Sequence, residues 1–177
     1  MNRNSKRNDI LVAATFIVKN LGVEKLTLEA VAKEAGISKG GLLHHFPNKE
    51  ALIKGMVEQL TNDFVSDVQN RATNSTMEDG KWTRAYIDST SADITDGNGI
   101  STALIAALFA NPELLSQLQS QYSIWQRNME TDGIDPVIST VVRLATDGLW
   151  FSEMFGLGKL DAELREQVIQ KLTNMIK

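Results

Sequence analysis

The sequence predicts an all-α fold of about nine helices: a small N-terminal bundle of three with a helix-turn-helix, then a larger C-terminal helical domain. Apolar residues recur at i, i+3, i+4 and i+7 along most of the chain, the period of a helix with one buried face. Helix-start residues and stop glycines alternate from one end to the other. No alternating strand pattern bounded by hairpin dipeptides interrupts them.

The first stripe is Ile10, Ala13, Ala14, Ile17 and Leu21, and Gly22 ends it. Thr27 is the expected N-cap of a short helix over residues 28–35, which Gly36 terminates. Ser38 opens a shorter helix that Pro47-Asn48 breaks. Asn48 then caps a long one with the stripe Leu52, Ile53, Met56, Leu60, Phe64 and Val68. Ser75-x-x-Glu78 has capping-box form and predicts a helix start. Asn111-Pro112 and Asp135-Pro136 each place a cap before a proline, and Asp161 caps the final helix. Stop signals fall at Gly97-Asn98-Gly99, Gly133, Gly156 and Gly158. The expected division is residues 1–50 and 51–177, joined through the long fourth helix.

Length and composition suit a globular chain. It has 177 residues, 42% apolar and 23% charged, enough for a core without staples. The absence of cysteine excludes a disulfide framework, thiol chemistry and cysteine-held zinc. The longest charge-free run, residues 97–112, is shorter than the ~20 residues a bilayer needs, so no membrane span is expected. The polar, basic start has no apolar stretch of a secretory signal, which points to a cytoplasmic protein.

The net charge of -4 conceals an asymmetry. Residues 1–55 hold nine Lys/Arg against five Asp/Glu, a net +4, while the remainder holds nine against seventeen, a net -8. Both histidines, His44 and His45, lie in the basic part. Such a split suggests that one part of the chain meets a polyanion.

The informative stretch is TLEAVAKEAGISKGGLLHHFPNKEAL, residues 27–52. A helix-turn-helix needs a small residue where two short helices cross, and Ala32 supplies it. It needs a tight reversal, which Gly36 permits. It needs apolar inner faces, supplied by Val31, Ala35, Ile37 and Leu42. Its second helix must present small and hydrogen-bonding residues to a major groove; Ser38, Lys39, Gly40, Gly41, His44 and His45 are of that kind.

With the preceding first-helix pattern ILVAATFIVKNLG, this stretch resembles the DNA-binding region of the TetR family of bacterial transcriptional regulators. The match is dense through the close Phe46-Pro47-x-Lys49-Glu50-x-Leu52. Two positions depart from the family pattern: Leu43 stands where tyrosine is common, and Gly41 where threonine or alanine is. The resemblance implies a dimer on a near-palindromic double-stranded DNA operator, released by a small-molecule effector. It implies that Thr27 and Lys49 meet phosphates, that Ser38, Lys39, Gly40, Gly41 and His44 face the groove, and that His45 meets phosphate or packs inward. Phe46 and Leu42 are implied anchors, and residues 3–7 an arm along an adjacent groove.

The remainder is expected to be sensor and dimer surface. In the family the effector pocket lies among the middle helices, and Trp82, Tyr86, Phe109, Trp125, Met129 and Phe151 are the expected lining. Asp88, Asp93 and Asp147 near these aromatics suit a cationic effector or a solvated surface. The last two helices in the family meet their symmetry mates as a four-helix bundle. Val141, Leu149, Phe155, Leu164, Val168 and Leu172 are the expected homodimer interface.

An enzyme is disfavoured. No glycine-rich phosphate loop follows a strand, and adjacent His44 and His45 point about 100° apart on a helix, unable to share a metal. No metal or cofactor is expected. The alternative reading is a helical protein-interaction or small-molecule-binding module that does not bind DNA.

Overall fold

A computed structural model describes residues 3–96 and 102–177. Among the described residues there are nine α-helices, one short 3-10 turn and no strand. The chain divides into two compact units: Met1–Thr61 with Ile100–Leu115, and Asn62–Gly99 with Ser116–Lys177. The expected stop at Gly97-Asn98-Gly99 lies outside the described residues.

The first unit is built on α1 (Arg3–Leu21), the 3-10 turn Val23–Lys25, α2 (Leu28–Glu34), α3 (Lys39–His45), the start of α4 (Lys49–Thr73) and α6 (Thr102–Ala110). α1 packs on α2, and α2 on α3. Ile10, Ala13, Ala14 and Ile17 are buried as the stripe predicts, but Leu21, at the last turn of α1, is 57% exposed. Residues 3–7, expected as an arm, are helical and open α1. Leu26, Val31, Leu42, Leu52 and Met56 complete an interior that no single helix of this length would bury alone.

The second unit holds the rest of α4, α5 (Lys81–Asp96), most of α7 (Pro112–Glu130), α8 (Pro136–Phe155) and α9 (Ala162–Asn174). α5 packs on both α8 and α9. One cluster joins Val68, Ala72, Ala85, Tyr86, Trp125 and Met129. Another joins Ile87, Val142, Leu172 and Ile176.

The capping box at Ser75 does not start a helix. Ser75 Oγ instead accepts the backbone N–H of Met77 two residues on, closing a local turn. α5 begins at Lys81 and takes its cap from a distance. The buried carboxylate of Asp132 accepts the backbone N–H of Trp82 at 3.1 Å and of Thr83 at 2.8 Å, and the Thr83 hydroxyl at 3.0 Å. A charged acceptor satisfies N–H groups that a helix start leaves without partners. No helix among the described residues is long and apolar enough to cross a membrane.

Candidate nucleic-acid interface

The α2–α3 pair is held by local hydrogen bonds at each end. Thr27 Oγ1 accepts the N–H of Ala30 at 3.1 Å and starts α2. α2 closes with the N–H of Ile37 on the Ala32 carbonyl and that of Gly36 on the Lys33 carbonyl. Gly36 has φ +65°, a left-handed conformation that a Cβ disfavours, and the chain reverses there. Ser38 Oγ then accepts the N–H of Gly41 at 3.1 Å and starts α3.

α3 turns most of its surface outward. Leu42 is fully buried and Phe46, just past the helix, is 3% exposed. Ser38, Lys39, Gly40, Gly41, Leu43 and His44 are exposed, whereas His45 is half-buried. The His44 and His45 rings meet edge to face with centroids 5.7 Å apart. Lys39 Nζ donates to the Glu29 carboxylate on α2, and this bond holds the Glu29 carboxyl below its ordinary value.

Two further contacts fix α3 within the first unit. The Phe46 ring lies against α4 at Gly55, where a Cβ would stand 2.7 Å from the ring, so only glycine allows this approach. The Arg7 guanidinium sits 5.2 Å from the centroid of that ring and 3.6 Å from Glu58, tying the start of α1 to the end of α3. Nearby, Asn48 Oδ1 accepts the N–H of Ala51 at 2.7 Å and caps α4, whose first residue is Lys49. Lys54 bonds Glu113 at 2.6 Å, which holds its ammonium above the ordinary value. Lys49 has no carboxylate partner among the described residues.

The expected effector lining separates. Trp82, Tyr86, Trp125 and Met129 share one cluster, with Phe64, Val65 and Tyr122 packed against it. Tyr86 and Trp125 meet edge to face, and Phe64 and Tyr122 each meet Trp125 the same way, with centroids 5.2–5.5 Å apart. Phe109 is elsewhere, half-exposed on α6 in the first unit. Phe151 is also elsewhere, stacked on Phe155 on the outer side of α8.

At the edge of the cluster stands a polar network that sequence reasoning did not assemble. The Tyr86 hydroxyl donates to Asp147, Arg143 donates to the other oxygen of that carboxylate at 2.8 Å, and Arg143 Nε donates to Gln126 at 2.7 Å. Burial pushes the Asp147 carboxyl up, against the opposing pull of Tyr86 and Arg143. An open cleft of about 400 Å³ runs beside it, lined by Tyr122, Ser123, Gln126, Arg127, Glu130 and Arg143. The only sequence signal for this network was the i, i+4 spacing of Arg143 and Asp147. The three acids that suited a cationic effector already hold internal donors: Asp88 has Arg84, Asp93 has the Trp150 indole N–H, and Asp147 has Arg143.

The expected dimer residues also divide. Leu149 and Leu172 are buried within the chain, and Val168 packs against its own core. Val141, Phe155 and Leu164 are exposed, together with Val137, Leu144 and Phe151. Among the described residues, no group of three His, Asp or Glu is placed to hold a metal ion.

Comparison with known proteins agrees with this geometry. Residues 10–56 match the family described as bacterial regulatory proteins, tetR family, and residues 80–177 match the tetracyclin repressor-like C-terminal domain. The nucleoid occlusion factor SlmA of Aliivibrio fischeri is 32% identical over 85 residues, 48% of this chain and 41% of that protein. The transcriptional repressor KstR2 of Rhodococcus jostii is 26% identical over 137 residues, 72% of this chain and 65% of that protein. The chain thus spans less than half of the first relative and under two-thirds of the second. Among solved structures, the multidrug binding protein EbrR with imidazole shares the fold at TM-score 0.60 and 20% identity, over 97% of this chain and 95% of that one.

Proposed function

Because the chain belongs to the TetR family of bacterial regulatory proteins, we propose that it is a transcriptional regulator, not an enzyme, that holds double-stranded operator DNA as a dimer and releases it on binding a small-molecule effector. One observation carries the reading. A short helix, capped by Ser38 and turned out by Gly36, presents Ser38, Lys39, Gly40, Gly41 and His44 to solvent from the +4 segment of the chain. Residues 1–50 form the DNA-binding part and residues 51–177 the effector-binding and dimerisation part.

On DNA, α3 enters the major groove. Lys49 and Thr27 meet flanking phosphates, and half-buried His45 stays at the margin of the contact. A seven-residue reading helix covers few base pairs, so specificity needs two copies and a near-palindromic operator. The outer side of α8 supports the pairing. Val137, Val141, Leu144, Phe151 and Phe155 are all exposed at four- and three-residue spacing, the seam of a helix pair. Arg143, Asp147 and Glu153 on the same helix are engaged internally, so this seam carries no unpaired charge. Leu164 extends it, while Leu149, Val168 and Leu172 serve the core beneath.

The effector binds at the Trp82, Tyr86, Trp125 and Met129 cluster, entering by the cleft at Tyr122 and Arg143. EbrR, a multidrug binding protein of the same fold, supports a small organic ligand there.

The test is a fluorescence-anisotropy titration of the full chain on the DNA flanking its own gene, at two salt concentrations. Tight binding that weakens steeply with salt is the expected result. Binding at neither concentration leaves the protein-interaction module as the better reading.

A further inference from the structure

Leu43 is an exposed apolar residue in the middle of a polar reading surface, with Ser38, Lys39 and His44 around it. Its neighbour one turn back, Gly40, has no atom of the chain within 4 Å of where a Cβ would stand. A Cβ on Gly41 would meet only the Ser38 hydroxyl, at 3.3 Å. Neither glycine has a positive φ. Nothing inside the protein therefore requires glycine at either place, although glycine is among the costliest residues in a helix interior. The reason lies outside the chain, in something that approaches the backbone closely.

A helical side chain leans back over the turn before it, so Leu43 lies toward the bare backbone of Gly40. The result is a low apolar ledge without donors or acceptors. Lys39, which would otherwise cover that turn, is bonded to Glu29. On the major-groove edges of the four base pairs every group is a hydrogen-bond donor or acceptor except one, the C5-methyl of thymine. Leucine set against the polar groups would strip water from them and return nothing. Set against the methyl, it buries apolar surface on both sides.

Resting on the DNA-binding reading above, we propose that Leu43 is a specificity-determining residue that packs on one thymine methyl in each operator half-site, with Gly40 and Gly41 giving it the close approach. The methyl is the ligand, and the contact selects T over the other three bases at that position.

The experiment selects bound sequences from a random duplex library with the full chain, then replaces each thymine singly by deoxyuridine, which removes only the methyl. One thymine position per half-site should lose roughly fourfold in affinity, and about fifteenfold when both half-sites are changed. Leu43→Ala should bind the unmodified duplex more weakly by a similar factor and no longer distinguish thymine from deoxyuridine there. Gly40→Ala, which meets no atom of the chain, should raise the melting temperature while lowering affinity. If the chain selects DNA but no thymine is sensitive, or the sensitivity survives in Leu43→Ala, the assignment of Leu43 is wrong and the regulator reading stands. If Gly40→Ala raises both, the close-approach role is wrong. If no duplex is selected at all, the regulator reading falls and this inference with it.

Discussion

The hydroxyl of Tyr86 donates to the Asp147 carboxylate at 2.5 Å, and the hydroxyl of Tyr122 lies 3.2 Å from it. These are the chain's two tyrosines, so its entire phenol content sits in one network on α5, α7 and α8.

That arrangement predicts alkaline instability. Burial raises the Tyr86 phenol far above its ordinary value, and burial with the nearby Asp147 charge raises Tyr122 to about 12. Both stay neutral in the folded chain, while unfolded phenols ionise near pH ~10. The folded state then holds more protons, so stability is complete below about pH 10 and falls as pH rises through about 12. The loss approaches about 1.4 kcal/mol per pH unit for each tyrosine. Near-ultraviolet phenolate absorbance, followed through a urea titration near pH ~11, should appear only on unfolding. Phenolate in the native chain near pH ~10 would contradict the burial of this network.

Asp132 is the long-range cap of α5. Asp132→Ala strands two backbone N–H groups and the Thr83 hydroxyl in a buried site, at a cost of about 3 kcal/mol. Asp132→Asn keeps an acceptor and should recover part of it. Urea midpoints for the two variants check the order; equal midpoints for Asp132→Ala and the parent would rule the cap out.

Lys49, without an internal carboxylate partner, is free to meet phosphate. Lys49→Ala should weaken binding about equally on all DNA sequences and lower the slope of log affinity against log salt by roughly 1. An unchanged slope assigns the phosphate contact to another residue.

Phe155→Glu places a charge on the exposed seam of α8, where the chain itself has nothing to lose. Light scattering should report a monomer with unchanged helix content, and operator affinity should fall with it. A dimer mass in the variant would move the interface elsewhere.

The helix starts were legible where the cap is local. Thr27, Ser38, Asn48, Asp135 and Asp161 each accept an N–H within three residues along the chain, and each starts the helix the sequence assigned to it. Ser75 failed because its rival for α5, Asp132, lies about fifty residues away and outcompetes it with a full negative charge. The apolar residues were legible as apolar, but not by destination. Phe151 and Leu149 are two positions apart on one helix, yet the first faces out at 43% exposure and the second is buried at 8%. Periodicity shows that a stripe exists and leaves open whether a neighbour in the same chain covers it.

By itself the sequence determined the all-helical fold, the helix-turn-helix with its Gly36 reversal, and the charge asymmetry, because period, caps and charge are set by neighbours within a turn or two. Only the tertiary structure decided that Leu43 stands exposed beside bare Gly40, that Tyr86, Tyr122, Asp147 and Arg143 form one network, and that Leu149, Val168 and Leu172 serve the core instead of the outer face of α8. Those outcomes depend on which helices meet, and the meeting brings together residues whose separation along the chain carries no local energetic trace.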